Sequence, residues 1–153
     1  MQTIPRLRIQ RGFSLLEVMV ALVIMSIGML GIAGLYVNSL QAGRTAMFRH
    51  NAIILAGDVT DRIRANRTAG IAYIDPVGSD NLCDKAVECD EAAMAANDIF
   101  LWQQQAAATL PEGEIEVLFD DTGPVWTYTI NVTWTEPGEE LAYSVAIPVN
   151  PFQ

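Results

Sequence analysis

A run of twenty residues without a charged side chain, Val18–Val37, constrains this 153-residue chain more than any other feature. As an α-helix the run rises about 30 Å, which is the thickness of the hydrocarbon core of a bilayer. Three arginines lie within the first twelve residues, before the run. Because basic residues flank a membrane span on its cytoplasmic side, we predict a single span with the N-terminus in the cytoplasm and the remainder of the chain outside.

The charge of the remaining chain bears on its partners. The formal net charge is −9, and the segment from Thr68 to Gln153 has Lys85 as its only base among fifteen acidic residues. Affinity for nucleic acid comes from Lys and Arg side chains that neutralise phosphates. The acidic segment therefore argues against nucleic-acid binding and favours a soluble extracytoplasmic domain.

Two simple interpretations compete for the apolar run. The apolar core of a secretory signal has about 7 to 15 residues and a small-x-small cleavage site behind it. The run here is longer, and no convincing site of that kind follows it. A plain membrane anchor fits better, but it does not explain Glu17, because a carboxylate in a membrane-length segment costs roughly 3 kcal/mol or more without a partner.

The six residues GFSLLE, positions 12–17, suggest a third interpretation. They resemble the G-F-[ST]-L-[IL]-E signature of type IV prepilins and the related pseudopilins. The resemblance implies that a prepilin peptidase in the inner membrane cleaves between Gly12 and Phe13 and then N-methylates Phe13. Glu17 becomes the fifth residue of the mature chain.

Each position of this motif has a physical rationale. Glycine has no side chain, so a protease can approach the backbone of Gly12 closely. Cleavage removes the leader charges, and the new α-amine of Phe13 is a cation. The resemblance implies that Glu17 pairs with the Phe13 amine of a neighbouring subunit, which would offset the cost of burying the carboxylate. A simpler role for Glu17 is to reach the membrane surface from one helical turn inside the span.

A helical pattern continues beyond the apolar run. Apolar residues recur at steps of three and four and define one face of an α-helix, namely Phe48, Ala52, Leu55, Val59 and Ile63. We predict one helix from about Ser14 to Asn66, roughly 80 Å long. Its first half is expected in the membrane or filament core, and its second half on the globular domain.

The end of this predicted helix indicates which group of pilins the chain resembles. Residues 55–67, LAGDVTDRIRANR, are similar to a segment of PilV-type minor pilins, as are residues 26–35, SIGMLGIAGL, and the later Trp102, LPEG and YTINVTW. The arginines of residues 55–67 are interpreted as solvent-exposed side chains at the C-terminal end of the helix, where the helix dipole favours cations. Surface ion pairs are predicted for Asp58 with Arg62 and for Asp61 with Arg64.

The two cysteines of the chain lie in the sequence CDKAVEC, residues 83–89. Outside the cytoplasm, Cys83 and Cys89 most simply form a disulfide. A metal site is not expected, since His50 is the single histidine and the acidic residues nearby lack the order of an EF-hand. No cofactor is expected either.

The C-terminal segment predicts an α+β domain. Residues 70–98 suggest a loop that contains a short helix, and Asp98–Leu110 a helix with Asn97 or Asp98 as its N-cap. Three apolar-alternating segments follow, at Ile115–Phe119, Trp126–Trp134 and Leu141–Ile147. Because short turns join them, we expect a small antiparallel sheet packed on the long helix.

No catalytic motif occurs in the sequence, so the chain is expected to be the substrate of a processing enzyme rather than an enzyme, with no small-molecule substrate of its own. Four segments are predicted: a leader at 1–12, a transmembrane or filament-core segment at 13–38, an amphipathic helix at 39–67 and a periplasmic domain at 68–153.

The resemblance to PilV-type proteins implies a minor pilin. Such a subunit joins other minor pilins and the major pilin in an inner-membrane complex that primes the type IV pilus, sits at the tip and helps to present a tip adhesin. The alternatives are a minor pseudopilin of a type II secretion system and a permanently anchored periplasmic binding module.

Overall fold

The computed structural model describes residues 12–74, 78–83, 85 and 87–150. Its first element, helix α1, extends from Leu15 to Ala65 over 51 residues. The helix predicted from Ser14 to Asn66 is thus confirmed, with one residue less at each end. No proline interrupts this stretch, and a proline in the interior of a helix would break or kink it.

The chain forms two compact units that divide between Gly43 and Arg44. In the first unit, every described residue is exposed. In the second unit, α1 buries a single face, which consists of Ala52, Leu55, Ala56, Val59 and Ile63. The face predicted from the apolar spacing is therefore confirmed, with Phe48 partly buried at its beginning.

The C-terminal part of the chain forms three strands, β1 (Glu114–Asp120), β2 (Trp126–Glu136) and β3 (Glu139–Val149). Their order in the sheet is the same as their order in the sequence. Both pairs are antiparallel, so the predicted meander is confirmed. Alternation along β2 buries one face of the sheet, because successive side chains of a strand point to opposite sides; this face comprises Tyr128, Ile130, Val132 and Trp134.

The turn between β2 and β3 contains Pro137 and Gly138. Gly138 has φ +89°, a value in the left-handed region that glycine adopts without steric cost. The turn signal in the sequence therefore has a direct backbone cause.

Helix α2 extends from Glu91 to Thr109. The predicted N-terminus of this helix, at Asn97 or Asp98, was wrong by about two turns. Asp90 is the actual N-cap, and its side chain accepts a hydrogen bond from the backbone N–H of Ala93 at 2.7 Å. Asn97 and Asp98 look like caps in the sequence, but both side chains are buried inside the domain.

A short 3₁₀ helix, Gly70–Tyr73, lies in the segment predicted as a loop that contains a short helix. It places Tyr73 in the core, where the ring stacks on Trp102 with 5.6 Å between the ring centroids. The hydroxyl of Tyr128 donates to the carbonyl oxygen of Gly70 at 3.1 Å, and burial raises the pKa of Tyr128 to about 12. One apolar core thus joins α1, the 3₁₀ helix, α2 and the sheet.

A polar contact also joins α1 to the turn between β2 and β3. Thr45 Oγ1 donates to Glu136 Oε2 at 2.6 Å, and Trp134 Nε1 donates to Glu136 Oε1 at 3.1 Å. These hydrogen bonds, the one from Thr45 first, lower the pKa of Glu136, and the charges of Arg44 and Arg49 add to them. We call Thr45, Trp134 and Glu136 the Glu136 clasp.

The lowered pKa of Glu136 predicts an acid-sensitive contribution to stability. A carboxyl group with a depressed folded pKa stabilises the fold above its unfolded pKa of about 4.3, and the stabilisation is lost as pH falls through the folded pKa. Glu136→Gln should therefore lower the melting temperature at neutral pH, and the difference from the parent should shrink as the pH is lowered to about 3.

The measurement is thermal unfolding of the detergent-solubilised protein, followed by near-ultraviolet circular dichroism of its tryptophans. Glu139→Gln, at the far end of the same turn, is the matched control and should leave the pH profile unchanged. Identical profiles for Glu136→Gln and the parent would show that the clasp contributes nothing.

Candidate functional sites

The residues of the N-terminal motif lie at the beginning of α1. Gly12 and Phe13 precede the helix, and the Phe13 side chain is 83% exposed. Among the described residues, apart from the chain neighbour, nothing lies within 4 Å of the position that a Cβ of Gly12 would occupy. The peptide bond between them is therefore sterically open. The leader arginines Arg6, Arg8 and Arg11 lie outside the described residues.

Ser14 caps the helix, a role that the sequence interpretation missed. Its Oγ and its carbonyl oxygen both accept from the backbone N–H of Glu17, at 3.2 and 3.1 Å. Ser14 and Glu17 have the S-x-x-E spacing of a capping box, in which the serine satisfies an N–H that has no partner inside the helix. That spacing was the signal available in the sequence.

The Glu17 carboxylate is solvent-exposed, in the first turn of α1. An acidic residue in this turn is favoured by the partial positive charge of the helix N-terminus. Within the described part of the chain, both ion pairs belong to Arg62, so Glu17 has no cation there. A cationic partner for Glu17 would have to come from outside these residues.

The uncharged part of α1 is long and apolar enough to cross a membrane, by length and composition. Its apolar side chains point in all directions around the helix axis and are exposed. A helix that is apolar all round needs an apolar environment. This observation fits a membrane-anchored chain.

At the other end of α1, Arg62 holds α1 to α2. Its Nη1 donates to Asp98 Oδ1 at 2.8 Å, and its Nε donates to Asp58 Oδ2 at 3.1 Å. Burial alone would lower the pKa of Arg62, but the hydrogen bond to Asp98 and the charges of Asp58 and Asp98 outweigh it, so that the pKa is raised. Arg62 is thus more than the solvated residue that the sequence suggested.

The ion pairs predicted on the surface of α1 had different outcomes. The pair between Asp58 and Arg62 is confirmed. The pair between Asp61 and Arg64 is absent from the ion pairs that the described residues form.

Asp98 is the buried centre of this polar network. Its side chain is only 4% exposed, and its second oxygen, Oδ2, accepts from the Tyr73 hydroxyl at 3.0 Å. Asp58 accepts a further bond from Trp102 Nε1 at 3.2 Å. Buried polar groups are tolerated when they are hydrogen-bonded, so this network fixes how α1, α2 and the 3₁₀ helix meet.

A disulfide joins Cys83 to Cys89 across the loop before α2. The loop is also tied to α2 by hydrogen bonds from the backbone N–H of Ser79 to the Ala96 carbonyl oxygen and from that of Asn81 to Asn97 Oδ1, both at 3.0 Å. The side-chain bond explains why Asn97 is buried rather than capping a helix.

The acidic residues before α2 that the structure describes are not grouped as metal ligands. Within the ranges that the structure describes, no group of three His, Cys, Asp or Glu side chains is placed to hold a metal ion. Asp90 is engaged as the N-cap of α2. The loop geometry therefore offers no ligand set for calcium among these residues.

Two family models match the chain. The prokaryotic N-terminal methylation motif matches residues 7–33, which include Gly12, Phe13 and Glu17. A family described as type IV pilin Tt1218 matches residues 34–100, from within α1 to the middle of α2. No curated protein and no solved structure matches the chain. The two matches adjoin and together cover more than half of it.

The polar network predicts a large effect of truncating Asp98. Asp98→Ala would leave Arg62 Nη1 and the Tyr73 hydroxyl without their acceptor. The free energy of unfolding should fall by about 2–3 kcal/mol, and the loss is no larger because Arg62 can still reach water. Asp61→Ala, a matched loss of a carboxylate from the exposed side of α1, should change stability by less than about 0.5 kcal/mol. Urea unfolding of the detergent-solubilised protein measures both, and equal effects of the two substitutions would contradict the role given to Asp98.

Proposed function

Since the chain belongs to the type IV pilin superfamily, we propose that it is a PilV-type minor pilin that is matured by prepilin peptidase and helps to initiate pilus assembly. The observation that carries this proposal is the methylation motif at residues 7–33, followed directly by a pilin-family match. The matched family consists of structural subunits. The protein is accordingly a substrate for processing and a building block of a filament.

Maturation requires two reactions at one position. Hydrolysis of the peptide bond between Gly12 and Phe13 adds water, leaving a carboxylate on Gly12 and a free α-amine on Phe13. N-methylation then transfers a methyl group from a methyl-donor cosubstrate to that amine, which gives up one proton to solvent; the methylated amine is again protonated and cationic at neutral pH. The open backbone at Gly12 and the exposed Phe13 side chain support this site.

Glu17 is the residue proposed to form an ion pair with the new N-terminus of a neighbouring subunit. In an apolar filament core an unpaired carboxylate costs roughly 3 kcal/mol or more, and the Phe13 ammonium of the neighbour is an acceptable partner. Pairing would occur in one axial register, because the two charges must approach within about 4 Å. The exposed Glu17 side chain, which has no cation among the described residues, supports this role.

The proposed location is the bacterial inner membrane, with the N-terminus in the cytoplasm and the domain in the periplasm. The leader arginines and the acidic C-terminal segment support this orientation. After cleavage, the subunit would leave the membrane for the pilus. Its partners are prepilin peptidase, other minor pilins, the major pilin and a tip adhesin.

Assignment to the minor pilins of the pilus, rather than to a type II secretion system, is supported by residues 55–67. In the structure, Arg62 of this segment ties α1 to α2, so the segment that resembles PilV-type proteins also helps to define the domain. Both systems use the same processing, and a functional experiment must separate them.

Processing predicts a specific mature mass. Intact-mass spectrometry of the protein from the native membrane should find a chain that begins at methylated Phe13. Gly12→Leu should leave the leader attached, because the side chain obstructs approach to the scissile bond. Gly28→Leu, a matched change at a glycine with open surroundings inside α1, should still be processed. A retained Met1 on the parent protein would indicate a permanent anchor and overturn the proposal.

The Glu17 role predicts a charge requirement in assembly. In a strain that lacks the native gene, Glu17→Gln should be cleaved and methylated normally but recovered in sheared pili at about one tenth of the parent level or less. Glu17→Asp keeps the charge and should retain part of the incorporation. Equal incorporation of Glu17→Gln and parent would refute the pairing. The same strains separate the two systems, since loss of twitching supports the pilus and loss of protein secretion supports type II secretion.

A further inference from the structure

A groove of about 480 Å³ lies beside strand β1. Ile99 and Trp102 of α2 contribute to one wall. On β1, the groove is lined by Val117, which belongs to the buried face, and by Glu116 and Leu118, which belong to the exposed face. A groove that touches both faces of a strand must pass one of its edges. Since β2 occupies one edge of β1, the groove passes the other edge, and it continues over the exposed face of the sheet to Thr133 of β2 and Glu140 of β3.

That second edge of β1 is open for pairing. Within the described residues β1 pairs with β2 alone. An edge strand presents a row of backbone N–H and C=O groups that can hydrogen-bond to another extended chain. β1 contains neither proline nor glycine, whereas β3, at the opposite edge of the sheet, contains Pro148, which has no N–H to donate.

The charge at the groove has one sign. Its charged lining residues are Glu114, Glu116 and Glu140, with no Lys, Arg or His among them. Asn131 Nδ2 donates to Glu116 at 3.2 Å, which holds that carboxylate in place without neutralising it. The groove therefore favours a cationic partner.

Apolar surface accompanies this charge. Leu118 is 46% exposed and Ile74 is 40% exposed, and both line the groove. Exposed apolar side chains beside an unpaired strand are a feature that soluble proteins normally avoid. Their presence here indicates a surface that another chain covers.

We propose that the open edge of β1 is the docking site for an extended segment of a different protein whose side chains alternate between apolar and basic. A strand added to β1 directs successive side chains to opposite faces of the sheet. One set would pack towards Ile99 and Trp102, and the other would lie beside Glu114 and Glu116. The apolar wall thus favours the apolar side chains of the partner strand, and the acidic wall favours its basic side chains.

A second copy of this chain is a poor occupant of the same edge. Pairing β1 with β1 would bring Glu114, Glu116 and Asp120 of both copies together, and like charges on paired strands are destabilising. The acidic residues thus disfavour self-pairing while they favour a basic partner.

Strand docking at β1 involves only the second unit of the chain and is separate from the proposed maturation and assembly. Cleavage at Gly12 and pairing of Glu17 do not enter it. A failure of processing and a failure of strand docking are therefore separate results.

The test uses the full chain in a nonionic detergent and a labelled synthetic heptapeptide, Lys-Val-Lys-Val-Lys-Val-Lys, with blocked ends. We expect fluorescence anisotropy to show binding at moderate salt. The corresponding Glu-Val peptide should not bind. A peptide with proline in place of the central valine should bind at least about tenfold more weakly, because the proline lacks an N–H and is poorly tolerated in a paired strand.

Variants then locate the site. Glu114→Lys with Glu116→Lys should weaken peptide binding by about tenfold or more through like-charge repulsion. Glu88→Lys makes the same substitution at one position in the disulfide loop, outside the groove, with half of the charge change, and should change binding by less than about twofold. Circular dichroism of each variant checks that the fold is retained.

Hydrogen–deuterium exchange identifies the mode of binding. Pairing should slow exchange of backbone amides within residues 114–120, because those that face the groove become hydrogen-bonded. Protection of β3 instead of β1, equal binding of the proline peptide, or no binding by the Lys-Val peptide would each overturn the proposal.

Discussion

The fold depends on helix α1, whose side chains are exposed in its first part and packed on the domain in its second part. From Val18 to Val37 its apolar side chains lie on all sides of the helix and are exposed, whereas from Arg44 onward it buries one face that includes Ala52, Val59 and Ile63. The sheet cannot bury its own apolar face alone, so the domain needs α1, together with α2 and the 3₁₀ helix, to complete its core.

Polar contacts supplement this apolar packing at both ends of the buried part of α1. The Glu136 clasp contacts Thr45 near its beginning, and Arg62 pairs with buried Asp98 near its end. Such contacts add little net stability by themselves, but leaving one member without its partner is costly. They therefore favour one arrangement of helix and domain over alternatives that would bury the same apolar area.

The proposed functions occupy different parts of the chain. The N-terminal residues from Gly12 to Glu17 concern processing and register, and a membrane or filament core would cover the apolar helix that follows. The domain offers instead an acidic groove beside the open edge of β1. If both proposals hold, the N-terminal residues serve maturation and anchoring, and the groove beside β1 recruits a basic, extended partner.

The sequence by itself determined α1, the three strands and the N-terminal motif, because helix and strand periodicity depend on residues only a few positions apart and the motif is contiguous. The tertiary structure decided the role of Asp98, a cap by its sequence context and a buried ion-pair partner in the fold. Its partner Arg62 lies 36 residues away, and only the packing of α2 on α1 brings them together. The groove at β1 likewise needs α2 and the sheet at once, since long-range contacts leave no local pattern in the chain.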